Sequence, residues 1–135
     1  IISGEHPPDI PPSKLGSFVA RRQKLSAQKF DRVLDEGDTF AEFRLIATPG
    51  HTLGHTSLLR DRDGLLFTGD AFGRLPFSRR IRVGVGKYIC ADPLEAKHSA
   101  EKLLGEEFTT VVFSRGKTIR EGAKERLDEI AASER

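Results

Sequence analysis

Thr48-Pro49-Gly50-His51-Thr52-Leu53-Gly54-His55 and Leu65-Leu66-Phe67-Thr68-Gly69-Asp70 are the two stretches on which the fold turns. In each, an apolar run stops at a turn residue, and a side chain able to hold a metal or a proton follows at once. Phe43-Arg44-Leu45-Ile46-Ala47 reads as the buried strand leading into the first stretch. Pro49 cannot donate to a strand ladder, and Gly50 permits backbone angles closed to other residues. His51 therefore stands on a constrained loop just past a strand end, where functional side chains collect. The second stretch repeats the plan with Asp70. Two strands of one sheet built this way bring an imidazole and a carboxylate to one edge, and both are zinc donors at about 2.0–2.2 Å. A loop His and a turn Asp are also common as plain structural residues, so spacing alone leaves both readings open.

Outward from these motifs, short apolar runs alternate with turn signals. Residues 30–34 suit a strand, Glu36-Gly37-Asp38 a turn, and Phe40 with Phe43–Ala47 one or two strands. His55–Arg60, the turn Asp61-Arg62-Asp63-Gly64 and Leu65–Thr68 form a predicted hairpin, and Thr109–Phe113 a further strand. Asp92-Pro93-Leu94-Glu95 is a helix start, with Asp as N-cap and Pro at the first helical position. Leu94, Ala100, Leu103 and Leu104 give that helix an apolar stripe, and Gly105 is its expected C-cap. A last helix is expected from about Glu121, carried by Ala123, Leu127, Ile130 and Ala131. The proline-rich residues 1–28 read as a lead or linker, and 29–135 as the folded unit.

The two motifs together, with Asp92-Pro93 and the segment Val111-Val112-Phe113-Ser114-Arg115-Gly116-Lys117, resemble the metallo-β-lactamase-fold hydrolases, nearest the glyoxalase-II-like branch. The resemblance runs from about Lys29 to the C-terminus. It implies an α/β (α+β) fold: the back half of an αββα sandwich, a mixed β-sheet with two outer helices. It implies that His51 binds the first of two zinc ions, that Asp70 bridges both and serves catalysis, and that His55 supports them by a hydrogen bond without being a ligand. The chemistry so implied is metal-assisted hydrolysis, in which zinc lowers the pKa of a bound water toward ~7.

Two departures accompany the resemblance. The family's front-half motif, His-x-His-x-Asp-His, is absent, since His6 and His98 are not spaced that way. Where the family places a His on the second zinc, this chain has Arg115, whose guanidinium offers no lone pair. Hence the expectation that this chain alone binds zinc weakly or not at all and lacks activity, with Arg115 paired to Asp70. The alternative is a degenerate, non-catalytic module of the same fold acting in assembly or binding. The sheet face carrying Phe43, Leu45, Leu58 or Leu66 is expected to meet the front half of the domain or a second copy of the chain.

Composition sets the outer limits. The 135 residues suffice for one domain, and 22 basic against 20 acidic residues leave a net charge of +2, giving no general pull toward nucleic acid or membrane. The basic stretch Arg74–Arg82 is local, and could take an anionic group of a small-molecule substrate or be a solvated loop. Gly84-Val85-Gly86 reads as loop flexibility, since it lacks the setting of a nucleotide fingerprint. The single cysteine, Cys90, excludes an internal disulfide and fits a cytoplasmic protein. No membrane span or signal peptide is visible, and a chain opening on Ile1 is expected to have lost something upstream.

Overall fold

The computed structural model describes residues 32–135. The expected boundary between residues 28 and 29, and the first part of the strand expected at 30–34, lie outside the described residues; residues 32–34 are not in a strand. Nine elements follow: β1 (Thr39–Phe40), β2 (Phe43–Ala47), β3 (Thr56–Arg60), β4 (Leu65–Gly69), β5 (Phe72–Gly73), β6 (Arg82–Val83), α1 (Pro93–Leu104), β7 (Thr110–Phe113) and α2 (Ala123–Ala132).

Five strands form one mixed sheet in the order β1-β2-β3-β4-β7, while β5 and β6 pair separately. Within the sheet β1 to β4 are antiparallel neighbours and β7 lies parallel to β4. It follows that β2, β4 and β7 all point the same way, so the loops after their C-terminal ends share one edge. Those loops carry His51, Asp70 and Arg115. Carboxyl ends of strands are where α/β sheets generally place ligands.

Register decides which side chains are inside. Leu59 stands opposite Leu66, and Leu66 beside Val111, on the face that packs against Ala96, Ala100 and Leu103 of α1 and Leu127 of α2. Leu45, Leu58 and Phe67 are in register on the other face. Because side chains alternate along a strand, Leu66 does not belong with Phe43, Leu45 and Leu58 as expected from the sequence. Leu66 is fully buried beneath the helices, and its neighbour Phe67, 36% exposed, takes the place assigned to it. On that outer face the Phe43 and Phe67 rings meet edge-on at 5.4 Å, with the Arg60 guanidinium 5.3 Å from the Phe43 ring centre.

Helix α1 begins as the sequence predicts: Asp92 is extended, and its Oδ1 accepts from the backbone N–H of Leu94 and Glu95 at 3.0 Å each. Its buried face is Ala96, Ser99, Ala100 and Leu103, whereas Leu94, expected in the stripe, is 65% exposed. At about 3.6 residues per turn Leu94 falls on the side of the helix opposite Ala96, Ala100 and Leu103. Gly105 caps the helix in a right-handed conformation, so its glycine freedom is not used there. Helix α2 starts at Ala123, after a left-handed Gly122, slightly later than expected.

Candidate functional site

The loop between β2 and β3 is anchored on the start of α1. Asp92 N–H donates to the Gly50 carbonyl at 2.8 Å, Ala91 N–H to the His51 carbonyl at 3.1 Å, and Ser99 Oγ to the Pro49 carbonyl at 2.7 Å. Cys90 Sγ also donates to the Gly50 carbonyl. The close approach requires glycine: Gly50 has φ +132°, and a Cβ there would stand 2.3 Å from the Ala96 nitrogen. Pro49-Gly50 thus lays the chain flat against the helix and turns His51 out toward the sheet edge.

His51 and Asp70 meet there, with His51 Nε2 3.4 Å from Asp70 Oδ2 and both side chains 18% exposed. His51 Nδ1 lies 3.0 Å from the Gly84 carbonyl, an acceptor, so Nδ1 carries the proton of the neutral ring. Nε2 then presents its lone pair on the Asp70 side. This is how a metal-binding imidazole is usually held, with the other nitrogen donating to a carbonyl.

His55 faces the other way. The Asp70 backbone N–H donates to His55 Nε2 at 2.9 Å. Nε2 therefore bears the lone pair and Nδ1 the hydrogen, which reaches Thr48 Oγ1 at 2.8 Å and the Thr48 carbonyl at 3.2 Å. Thr48 Oγ1 lies 3.0 Å from Ser57 Oγ, which donates to the Thr68 carbonyl at 3.1 Å. Donor counting gives a single direction to this chain: His55 to Thr48 to Ser57 to Thr68. Burial, reinforced by the neighbouring His51, pushes His55 below the ordinary histidine pKa, in keeping with a neutral ring. Gly69 makes the arrangement possible, because at φ +56° a Cβ would stand 2.6 Å from His55 Nε2.

Arg115 enters from the end of β7. Ser114 N–H donates to the Gly69 carbonyl at 3.4 Å, and an Arg115 terminal guanidinium nitrogen lies 3.7 Å from Asp70 Oδ2. The pairing expected from the sequence is therefore present. Asp70 Oδ1 is buried and has no hydrogen-bond partner among the described residues.

The Asp70 carboxylate, with the His51 lone pair beside its Oδ2, offers two donors that fit one metal ion. A second metal does not fit, since the third group at Asp70 is a guanidinium. No group of three or more His, Cys, Asp or Glu able to hold a metal exists among the described residues. His98 is exposed on α1, 3.6 Å from Glu95, and takes no part. Of the basic stretch, Arg74 donates to the Ser78 carbonyl and Arg82 lies 3.8 Å from Glu134, while Phe77 projects fully into solvent. A cavity of about 190 Å³ is lined by Leu34, Asp35, Glu36 and His55 among others, but by neither His51 nor Asp70.

Sequence reasoning missed the Gly84 carbonyl, which was read only as part of a flexible loop, and the Thr48–Ser57 link. Gly84 is placed by the pairing of β5 with β6, and its N–H donates to the Ala71 carbonyl. Nothing local in the sequence reveals that contact.

The sequence profile of the metallo-beta-lactamase superfamily matches residues 6–122. A probable metallo-hydrolase of Bacillus subtilis is 31% identical over 129 residues, covering 83% of this chain and 48% of that protein. A hydroxyacylglutathione hydrolase of Chelativorans is 31% identical over 87 residues, covering 62% of this chain and 31% of its own length. The chain thus spans between about a third and about a half of the curated relatives it matches. Among solved structures, a protein crystallised in a di-iron-bound form superposes with a TM-score of 0.59 at 26% identity, covering 87% of this chain and 61% of that one. An archaeal metallo-beta-lactamase superfamily protein of Sulfolobus tokodaii gives 0.53 at 26%, covering 67% and 32%.

Proposed function

Given that this chain belongs to the metallo-β-lactamase superfamily, we propose that it carries part of the active-site edge of a metal-dependent hydrolase. The observation that carries this reading is the His51 Nε2–Asp70 Oδ2 approach of 3.4 Å, with Nδ1 committed to the Gly84 carbonyl. His51 and Asp70 would hold one metal, zinc in the first instance; a structural relative is known in a di-iron form. A bound metal of this kind supplies an activated water near neutral pH. The chain's own residues orient the donors: Gly84 fixes the His51 tautomer, and His55 pins the Asp70 backbone.

Catalytic zinc generally takes three protein ligands, so further donors would come from a segment beyond those described or from a partner. The partner in this reading is the front half of the domain or a second copy, seated on the Phe43–Phe67 face. No helix among the described residues is long and apolar enough to cross a membrane, and the unpaired Cys90 accords with a cytoplasmic setting.

The test is hydrolysis of a panel of thioesters, lactones and phosphodiesters by metal-stripped and zinc-reloaded protein. The expected result is zinc-dependent turnover only when the front half of the domain or a second copy supplies the missing donors, falling at least a hundredfold in both His51→Ala and Asp70→Asn. Turnover indifferent to zinc and to both substitutions would remove the reading. The Arg115–Asp70 contact favours a second reading, a non-catalytic module that retains the fold. In that case no substrate turns over and neither substitution has an effect.

A further inference from the structure

The Asp70 carboxylate has one oxygen in company and one alone. Oδ2 lies between His51 Nε2 at 3.4 Å and the Arg115 guanidinium at 3.7 Å, while Oδ1 is buried and unpaired. We propose that Arg115 is the resident second cation of this site: it neutralises Asp70, bars a second divalent metal, and weakens the hold of His51 and Asp70 on the first. This inference rests on reading His51 and Asp70 as metal donors.

The backbone that carries Arg115 is held on both sides. Before it, Ser114 N–H donates to the Gly69 carbonyl, one residue from Asp70. After it, Gly116 packs on the Phe113 ring, where an added Cβ would stand 3.0 Å from ring carbon Cδ2. Paired backbone bonds between Val111 and Ile119 close the loop. The loop therefore sets where the Arg115 backbone stands beside Asp70, and the guanidinium reaches Asp70 Oδ2 at 3.7 Å. A guanidinium stays charged at any working pH and has no lone pair, so it cannot become a ligand. A divalent ion seated on Asp70 meets this fixed charge at close range, and such repulsion exceeds a factor of ten in affinity even at the dielectric of a protein surface.

An exposed ion pair is ordinarily of little consequence. Two features set this one apart: the carboxylate is 18% exposed, and its other oxygen has no hydrogen-bond partner among the described residues. Arg115 itself is 47% exposed, so its replacement leaves the core untouched.

The experiment is calorimetric titration of the chelator-treated full chain with zinc, with cobalt as a spectroscopic check on the ligand set. Wild type is compared with Arg115→Gln and Arg115→His, each alone and in combination with His51→Ala. Arg115→Gln removes the charge and is expected to bind one zinc at least tenfold more tightly than wild type. Arg115→His adds a third donor and is expected to gain at least a hundredfold, and both gains should vanish with His51→Ala. Wild type taking two His51-dependent zinc ions per chain overturns the proposal. If wild type binds one zinc through His51 and the Arg115 variants bind no better, the inference fails while the metal-site reading stands. If no variant binds zinc, both fail together.

Discussion

At His55 a single imidazole joins the end of β2 to the residue after β4, accepting from Asp70 N–H and donating to Thr48. Replacing it with alanine leaves a backbone donor without its acceptor, at a cost of about 1–3 kcal/mol. We therefore expect His55→Ala to lower the midpoint of denaturant unfolding by that amount, with an unchanged denaturant slope. Unchanged stability would show that water takes over both bonds. Cys90 is the second informative residue. It is 1% exposed, and burial pushes its thiol pKa up from 9.0 to about 11. A thiol whose folded pKa is raised binds its proton more tightly in the native state. Its contribution is thus complete below pH 9 and is lost as pH rises toward about 11, an effect of at most about 3 kcal/mol. Cys90→Ala should flatten that alkaline decline, and native Cys90 should resist alkylating reagents at pH 8. Rapid alkylation of the folded chain at that pH would contradict the assigned burial. His51, Asp70 and Arg115 were legible in the sequence because each follows a strand that ends in a recognisable way. The Gly84 carbonyl was not, since a backbone acceptor leaves no trace in residue type.

Among the elements, α1 has the most direct bearing on the site. The segment leading into it and Ser99 on its second turn hold residues 49–51 by four hydrogen bonds, from Cys90, Ala91, Asp92 and Ser99. Asp92 is both N-cap and anchor, since its own N–H donates to Gly50 while Oδ1 receives Leu94 and Glu95. Asp92→Ala keeps the backbone bond and deletes the cap, which typically costs about 1 kcal/mol. The expected outcome is that loss of stability together with faster amide exchange at His51 and Thr52, read by hydrogen exchange. Faster exchange confined to α1 would detach the helix from the site. The same elements show where sequence reading works. β2, β3, β4, β7 and the start of α1 were legible because burial imposes a period on their side chains and the caps are local chemistry. β5 and β6 were not, because two residues carry no period and their pairing is set by contacts elsewhere in the chain. The assignment of Leu66 to the open face failed for a related reason. An apolar run such as Leu65-Leu66-Phe67 does not announce its register, and a shift of one residue exchanges the faces.

For the molecule as a whole, the two faces of the main sheet have different fates. Leu59, Leu66 and Val111 are sealed under both helices at 0% exposure, and with Ala100, Leu103 and Leu127 they form the centre of the core. On the opposite face Phe67 is 36% exposed and Phe40, on the edge strand, 60%. Aromatic side chains that remain partly wet on a sheet face commonly mark a contact surface. The αββα resemblance ascribes that face to a second sheet, and the same second layer would bring the donors that His51 and Asp70 lack. Cover and ligands are then one requirement. If a second copy supplies the cover, light scattering after size exclusion should give a mass above the 15.0 kDa of one chain. Phe67→Glu should return it to a monomer, since burying a charge at the centre of such a contact is costly. The thermal midpoint of that monomer should shift by only a few degrees, because Phe67 lies outside the helix-covered core. A wild-type chain that stays at 15.0 kDa at every concentration would exclude the second copy and leave the front half of the domain as the remaining proposed cover.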